Sequence, residues 1–594
     1  MRFPFRILAP ALLGWAIATT AAPLEVRIVP VASGAPVTFE GSAFINRSGE
    51  TWSLTRLSYL VSDLALRDAD GAWHPLPCDP AWMNAATDRS IWPIADAPTG
   101  KWTGIRFDLG LPPSLNDRDP AAWPPDHALN PNLNGLHWSW QGGYIFLAIE
   151  GRFRTGNGDS ATGLDSGFVY HLAREPYRTA ITLPVDFTLA EGVENRLEIR
   201  FDVARLIDGT ESLGFARDGS STHSKDGDPV AIKLQANLPG AFSIASAGET
   251  EKAPAPGLAK TLPKNVPPTP DALVIPPSFP RPYLPDDNPL TPARVALGKR
   301  LFHETALSRS GSLSCASCHT ASAALTDPRR LSVGGEGRVG KRNAMPLFNL
   351  AWKPTFFWDG RASALREQVL VPIQDHLELD ESLENVVAKL HSTPDYREDF
   401  AGAFGAEKIS SERLALALEA FLLTLVSHDS KFDRARRGEV TLSELEQHGF
   451  ELFMTEREPR LGQLGGDCFH CHGGALFTDH QFRNNGLAIN PDDPGRATVS
   501  GSSLDAGTFA TPSLRNVALT APYMHDGRFA TLEEVLDHYS EGVERTATLD
   551  PNLAKHPDGG LGLSNEDKAA LIAFLRTLTD DQFARDAFEG VKGE

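Results

Sequence analysis

Cysteine is scarce in this chain, with five residues in 594, and that scarcity excludes a disulfide-built scaffold. Long apolar runs are also missing. Past the N-terminal segment no stretch is apolar enough for long enough to cross a bilayer, so no membrane span is expected in the mature chain. Basic residues are in deficit: 56 Lys and Arg stand against 76 Asp and Glu, a formal net charge of -20. A balance of that sign argues against nucleic acid as a partner and leaves room for a basic one. What remains is ordinary globular composition, 41% hydrophobic and 22% charged, in a chain too long for one core.

Four of the five cysteines stand in two copies of one pattern, Cys315-Ala-Ser-Cys318-His319 and Cys468-Phe-His-Cys471-His472. C-x-x-C-H is the attachment site of c-type haem: the thiols add to the vinyl groups, and the adjacent His binds the iron. A redox dithiol or half of a zinc site does not require a His directly after the second Cys, and here it stands there twice. The sequence therefore predicts two covalent haems, one on Cys315, Cys318 and His319 and one on Cys468, Cys471 and His472. Cys78 is left without a partner.

The first residues read as an export signal over 1–22. Arg2 and Arg6 precede the apolar stretch Ile7 to Ala18, and Thr19-Thr20-Ala21-Ala22 offers small residues for cleavage. A periplasmic location follows, with an uncleaved anchor as the alternative. Residues 23–245 carry short β-rich runs between Gly, Asp, Asn and Pro turns, among them Leu24–Val29, Leu57–Leu66, Gly104–Leu109, Tyr144–Ile149, Ile181–Phe187 and Arg196–Val203. These predict an all-β, antiparallel sandwich domain. Residues 246–285 are proline-rich and read as a semi-rigid linker. From 286 to 594 the pattern is mainly α. Leu414, Leu418, Leu422 and Leu425 follow helical spacing, and capping boxes pair Thr441 with Glu444, Thr531 with Glu534 and Ser564 with Asp567. One haem motif in each half predicts two cytochrome-c-like lobes.

The stretches LGKRLFHETALSRSGSLSCASCH, KRNAMPLFNLAW, FFWDGRASALREQ and TPSLRNVALTAPYMHDGRFATLEEVLDHY resemble, in order, the bacterial dihaem cytochrome c peroxidases, and within them the MauG-type enzymes. The resemblance implies hydrogen peroxide as oxidant and roles for particular residues. Trp358 would lie between the haems. Glu378 would be the acid above the peroxide-binding iron, with Gln368 and Pro372 in the same distal pocket. Asn343 and the carbonyls of Thr520 and Pro522 would hold calcium, a hard cation suited to oxygen ligands.

Two departures from the ordinary peroxidase matter. The loop Ser332-Val333-Gly334-Gly335-Glu336-Gly337 has no His, and Gly335 stands where a gating ligand is expected, so the first haem should stay open. Tyr539 stands where the second haem has a Met in many peroxidases, as in the MauG type. Met524 and His538 are competing ligands, and packing on the face shared by Leu532, Val535 and Leu536 would also explain a tyrosine. An open haem and a Tyr-ligated haem joined through Trp358 suit a store of two oxidising equivalents.

In the first domain, LTRLSYLVSDLALRDADGAW, WTGIRFDLGLPPSLN and LHWSWQGGYIFLAIEGRF resemble the MbnP-like copper-binding proteins. That resemblance implies a tryptophan oxidised to kynurenine by a MauG-type enzyme, the product helping histidines to bind copper. Trp138 and Trp140 are two apart and share one face on a regular strand. They are the candidate oxidised residues, although both could simply fill the core. His137 and His171 are the candidate copper ligands, with His74 and His127 outsiders. The expected function is a periplasmic dihaem oxidase that uses peroxide to oxidise tryptophan in its own domain or a separate protein. The alternatives are a peroxide-detoxifying peroxidase fed by a small cytochrome or copper-protein donor, and a non-enzymatic copper-binding or electron-transfer protein.

Overall fold

The computed structural model describes residues 21–39, 43–138, 142–155, 166–249, 273–488, 490 and 492–586. Within these the chain is a sheet-rich N-terminal domain followed by a helical region.

Two sheets face each other in the first domain. One runs Phe242–Glu249, Asn195–Asp202, Ala21–Ala32, Ala35–Pro36, with Ile91–Pro98 also on Ala21–Ala32. The other runs Thr179–Leu189, Gly100–Leu109, Thr51–Arg67, Ile145–Arg154, Ser166–Ala173, Ser221–Thr222. The six predicted runs fall on six of these strands and overhang them by at most one residue, while the strands extend up to six residues further, as Thr51–Arg67 does beyond Leu57. Their alternation works because inward residues meet across the gap: Tyr59 stands edge-on to Phe201 and Phe107 to Phe242, with ring centroids 5.2 and 5.6 Å apart. The expectation of an all-β, antiparallel domain needs two corrections. Ala21–Ala32 pairs parallel to Asn195–Asp202 and Ser166–Ala173 parallel to Ser221–Thr222. A 13-residue helix, Pro229–Ala241, also packs against the sheets, capped by Asp228 with Pro at its first position. The helix connects Ser221–Thr222 in one sheet to Phe242–Glu249 in the other.

The stretch expected as a linker is described only at its ends. Phe242–Glu249 is a sheet strand, while Leu273, Phe279 and Leu284 are buried in the first helical core. The Trp352 indole donates to the Pro280 carbonyl at 2.6 Å. Prolines there fit an extended chain packed on a surface.

The helical region has two cores, each holding one Cys-x-x-Cys-His. In the first, helix Pro292–Phe302 crosses Ser411–Leu423; in the second, Glu444–Met454 crosses Asn565–Arg576. Both crossings rest on one glycine. A Cβ on Gly298 would lie 1.9 Å from the Ala417 carbonyl, and one on Gly449 would lie 1.9 Å from that of Ala570. The predicted boxes at Thr531 and Ser564 form, but the third is displaced to Ser443 with Glu446. The helix predicted from the leucine spacing ends at Leu423, so Leu425 lies beyond it. No helix among the described residues is long and apolar enough to cross a membrane.

Candidate active site

The first attachment segment is a single turn, Cys315–Ser317, in which the Ser314 N–H donates to Ser317 Oγ at 3.0 Å. His319 follows. Its Nδ1 lies 2.8 Å from the Leu325 carbonyl; donating there fixes the tautomer and leaves Nε2 for a metal. His472 repeats this arrangement with the Phe477 carbonyl at 3.3 Å. Burial pushes the Cys315 and Cys468 thiols up to about 12. A reactive dithiol needs the opposite shift.

Cys315, Cys318 and His319 line a space of about 660 Å³ together with Gln368, Pro372 and Glu378, so the residues implied for one distal pocket do meet. Glu378 is its one acidic lining residue among those described. Burial, then the charge of Asp375, raises the Glu378 carboxyl from 4.5 to about 7, against the pull of Arg361. The His-free loop fixes its backbone: the Gly335 N–H donates to the Glu378 carbonyl at 2.8 Å. Gly334 admits no side chain, because a Cβ there would lie 2.1 Å from the Leu377 carbonyl. His376, two residues before Glu378, points outward with its side chain 72% exposed.

A second space, of about 1670 Å³, is lined by Cys468, Cys471, His472, Met524 and Tyr539. Tyr539 lies on helix Leu532–Glu541, and burial raises its hydroxyl to about 12. Asn485 Nδ2 lies 3.4 Å from both Tyr539 Oη and Met524 Sδ, so both potential ligands are on this cavity. His538 is turned away, its Nε2 3.0 Å from the Asn485 carbonyl. Trp358, Asn343, Thr520 and Pro522 line the same space. The Trp358 indole donates to the Asn343 carbonyl at 2.9 Å. Its neighbour Asp359 is clamped by Arg342, which also pairs with Asp493. Each cavity thus combines an apolar lining with two thiols and a His whose outer nitrogen is already engaged. This is the donor set covalent haem requires, and the residues fit it.

The matching family models are those for di-haem cytochrome c peroxidase, over residues 292–441, and for MbnP, over residues 21–224. Methylamine utilization protein MauG of Methylorubrum extorquens is 40% identical over 298 residues, 50% of this chain and 80% of that protein. Cytochrome c551 peroxidase of Nitrosomonas europaea is 35% identical over 292 residues, 48% and 80% respectively. The chain belongs to the dihaem cytochrome c peroxidase family. Among solved structures, a MauG-like protein associated with microbial copper homeostasis is 35% identical, covering 52% of this chain and 96% of that one at a TM-score of 0.48. By the two family models and these curated relatives, the protein is a dihaem oxidoreductase of the dihaem cytochrome c peroxidase family carrying an MbnP domain. The family segment includes Trp358, Glu378 and the first haem motif; the MbnP segment includes Trp138 and His171.

The two domains meet over strand Ser166–Ala173. The Arg152 guanidinium donates to the carbonyls of Thr546, Ala547 and Leu549, and Ser221 Oγ to Glu456 at 2.7 Å. Trp138 is buried in this region, its ring 6.3 Å from His171 and 5.9 Å from His223. Trp140 lies outside the described residues. His137 does not join the group; its ring stands against Tyr144 at 4.6 Å, and burial lowers it to about 4. Among the described residues its backbone forms only an isolated bridge, to Tyr144.

Facing this patch is a cluster that sequence reasoning missed. His470, between the second pair of haem cysteines, contacts Glu456 at 2.9 Å and Asp467 at 2.7 Å. Lys555 reaches both carboxylates, and His556 reaches Asp467 at 2.7 Å. Burial would lower the His470 imidazole, but Asp467 and Glu456 prevail and raise it to about 9. Burial lowers His171 to about 3 despite Glu150. No spacing rule links residues 171, 223, 456, 467, 470 and 555; only the domain packing does.

Proposed function

We propose that this protein consumes hydrogen peroxide to oxidise a tryptophan of its own first domain, Trp138, with copper binding as the outcome. The observation that carries this reading is an unbroken run of rings. Trp138 lies 5.9 Å from His223, and His223 lies 5.8 Å from Phe469 and 4.5 Å from His470, both inside the second attachment segment.

Haem would be held by Cys315, Cys318 and His319 and by Cys468, Cys471, His472 and Tyr539, and would supply peroxide cleavage and storage of two oxidising equivalents. The rest falls to the chain. Glu378, poised near neutrality, takes the proton from one peroxide oxygen and returns it to the leaving one. Gln368 and Pro372 wall the pocket around that carboxyl. Asn343 holds the Trp358 indole through its own carbonyl, so Trp358 is oriented to pass charge between the lobes. Asn343 would also hold calcium, with the carbonyls of Thr520 and Pro522. Atoms balance with two peroxides per tryptophan: two oxygens enter the indole, two waters leave, and hydrolysis then releases formate. The product, kynurenine, is about 4 Da heavier than tryptophan, the oxidation itself being the cofactor's chemistry.

The test is peptide mass spectrometry of the haem-loaded protein before and after peroxide. Wild type should gain that mass on Trp138, and Glu378→Gln should acquire it far more slowly. An unmodified Trp138 in peroxide-treated wild type overturns the reading.

A further inference from the structure

A space of about 450 Å³ lies between segment 345–353 and the chain that follows the second haem motif. Met345, Phe348 and Lys353 line it on one side, and Leu476, His480 and Pro512 on the other. None of these takes part in the chemistry above. No carboxylate lines the space among the described residues.

Its polar side chains divide into those already engaged and two that are not. The Thr478 hydroxyl donates to the Thr511 carbonyl at 2.8 Å, the Ser513 hydroxyl to that of Leu476 at 2.6 Å, and the Asn349 amide to that of Ser427 at 3.1 Å. Lys353 is different. Its ammonium donates to the Met345 thioether at 3.5 Å, a weak acceptor. Burial lowers it to about 8, with no nearby carboxylate to raise it. At neutral pH it is therefore a half-buried cation without a counter-charge, a costly state. His480 is the second. Its backbone takes a left-handed φ of 57°, uncommon for a residue other than glycine. The Thr478 hydroxyl holds that conformation by accepting the His480 N–H at 3.0 Å. The ring's Nε2 is buried with no hydrogen-bond partner. Burial, then the charge of Lys353, lowers the imidazole to about 4, so the ring is neutral. A bare buried nitrogen calls for a ligand. Beside an unpaired ammonium, that ligand is an anion, because an anion accepts from both and a cation would be repelled.

We propose that Lys353 and His480 bind one small monovalent anion, a halide or a planar oxyanion such as nitrate, and that the ion tunes the second haem. The ammonium supplies the charge and the His480 Nε2–H a directed donor. One ammonium balances one negative charge. Sulfate or phosphate would carry a second into a space walled largely by Met345, Phe348, Leu476 and Pro512, where charge is poorly solvated. The link to the haem runs through two carbonyls. The His472 imidazole lies against those of Phe477 and Pro512; Pro512 and Leu476, the residue before Phe477, both line the ion's space. Negative charge behind the proximal His favours the more oxidised iron. The second haem's potential should therefore fall when the ion binds, and the first haem's should not. The proposal holds whichever residue the enzyme oxidises, so it can fail while the reading above stands, and the reverse.

The experiment titrates full-length, haem-loaded protein with sodium bromide, and separately with sodium nitrate, at an ionic strength held constant with sodium sulfate. Spectroelectrochemistry reads both haem potentials. In wild type the second should fall and saturate with at least one salt while the first stays put; which salt acts tells a halide site from an oxyanion site. Lys353→Met keeps the apolar stem without the charge and should abolish the response. His480→Asn suits the left-handed backbone and should weaken the affinity by about 10-fold, as loss of a hydrogen bond to a charged group does. Haem content verifies that each variant folds. Anomalous scattering from bromide-soaked wild-type crystals locates the ion without any variant. Three outcomes overturn the proposal: no saturable response to either salt, a response that Lys353→Met leaves unchanged, or no bromide at Lys353 in protein whose potential responds to bromide.

Discussion

Glu378 couples stability to activity, and its replacement by Gln separates them. The carboxyl shifts from 4.5 to about 7. Between those values the folded protein holds a proton that the unfolded chain has released. Stability rises with pH only where the unfolded state binds more protons, so here it falls with rising pH. The contribution is whole below 4.5 and gone above about 7. At 1.36 kcal/mol per pKa unit, an ionised Glu378 costs the fold about 3 kcal/mol at pH 8. Glutamine carries no charge at either pH. Glu378→Gln should therefore melt with wild type near pH 4.5 and above it at pH 8, while peroxide activation drops by about 10²- to 10⁴-fold. The wild-type rate should rise with pH through about 7 as the base forms, and Asp375→Asn should move that midpoint down by removing a like charge. Thermal melts of haem-loaded protein at both pH values, with stopped-flow peroxide addition, make the check. A stability gain independent of pH, or an unchanged rate profile, would refute the reasoning.

Tyr539→Phe should abolish the second haem's axial ligation without unfolding helix Leu532–Glu541; a low-spin spectrum that survives unchanged would give the role to Met524, which shares the Asn485 contact. Trp358→Phe removes the 2.9 Å bond to Asn343, costing about 1 kcal/mol, and should leave peroxide reaching the first haem while the second no longer responds; optical spectra of both haems after peroxide would decide. Gly334→Ala should slow peroxide activation by displacing the Glu378 backbone, because its Cβ would lie 2.1 Å from the Leu377 carbonyl; Gly335→Ala meets nothing closer than 3.6 Å and should behave as wild type.

Much of this was legible in the chain because the chemistry is local. Cys-x-x-Cys-His places thiols and proximal ligand within five consecutive residues, and alternating runs name strands wherever one face is buried. The helix Pro229–Ala241 was not legible: exposed Ile232 and the internal Pro239 blur the stripe that Val230, Ala231, Leu234, Leu238 and Ala241 bury. The distal pocket was legible only through resemblance. Gln368, Pro372 and Glu378 sit on short turns whose spacing carries no period, and the structure alone brings them to Cys315. His137 and His171 both stood as candidate ligands, and the fold separates them: His137 turns to Tyr144, and His171 to Trp138 at the domain interface. His470 looked like filler between two cysteines.

The interface bears on whether substrate and oxidase are one molecule. Glu456, Asp467, Lys555 and His470 are charged groups with almost no solvent exposure, covered by the first domain through Ser221 and His223. Removing ions from water is costly, and the cost is offset only where each finds a close partner in fixed geometry. Here each has one, within 2.9 Å. An encounter surface that must release its partner keeps its charges at a hydrated rim, where they steer approach without being desolvated. Burying them at the centre instead suits two units that remain docked. Joined in one chain, the domains also face each other at an effective concentration that a separate partner does not reach. Oxidation within the same molecule requires neither release nor recapture, and the interface has the character expected of that arrangement.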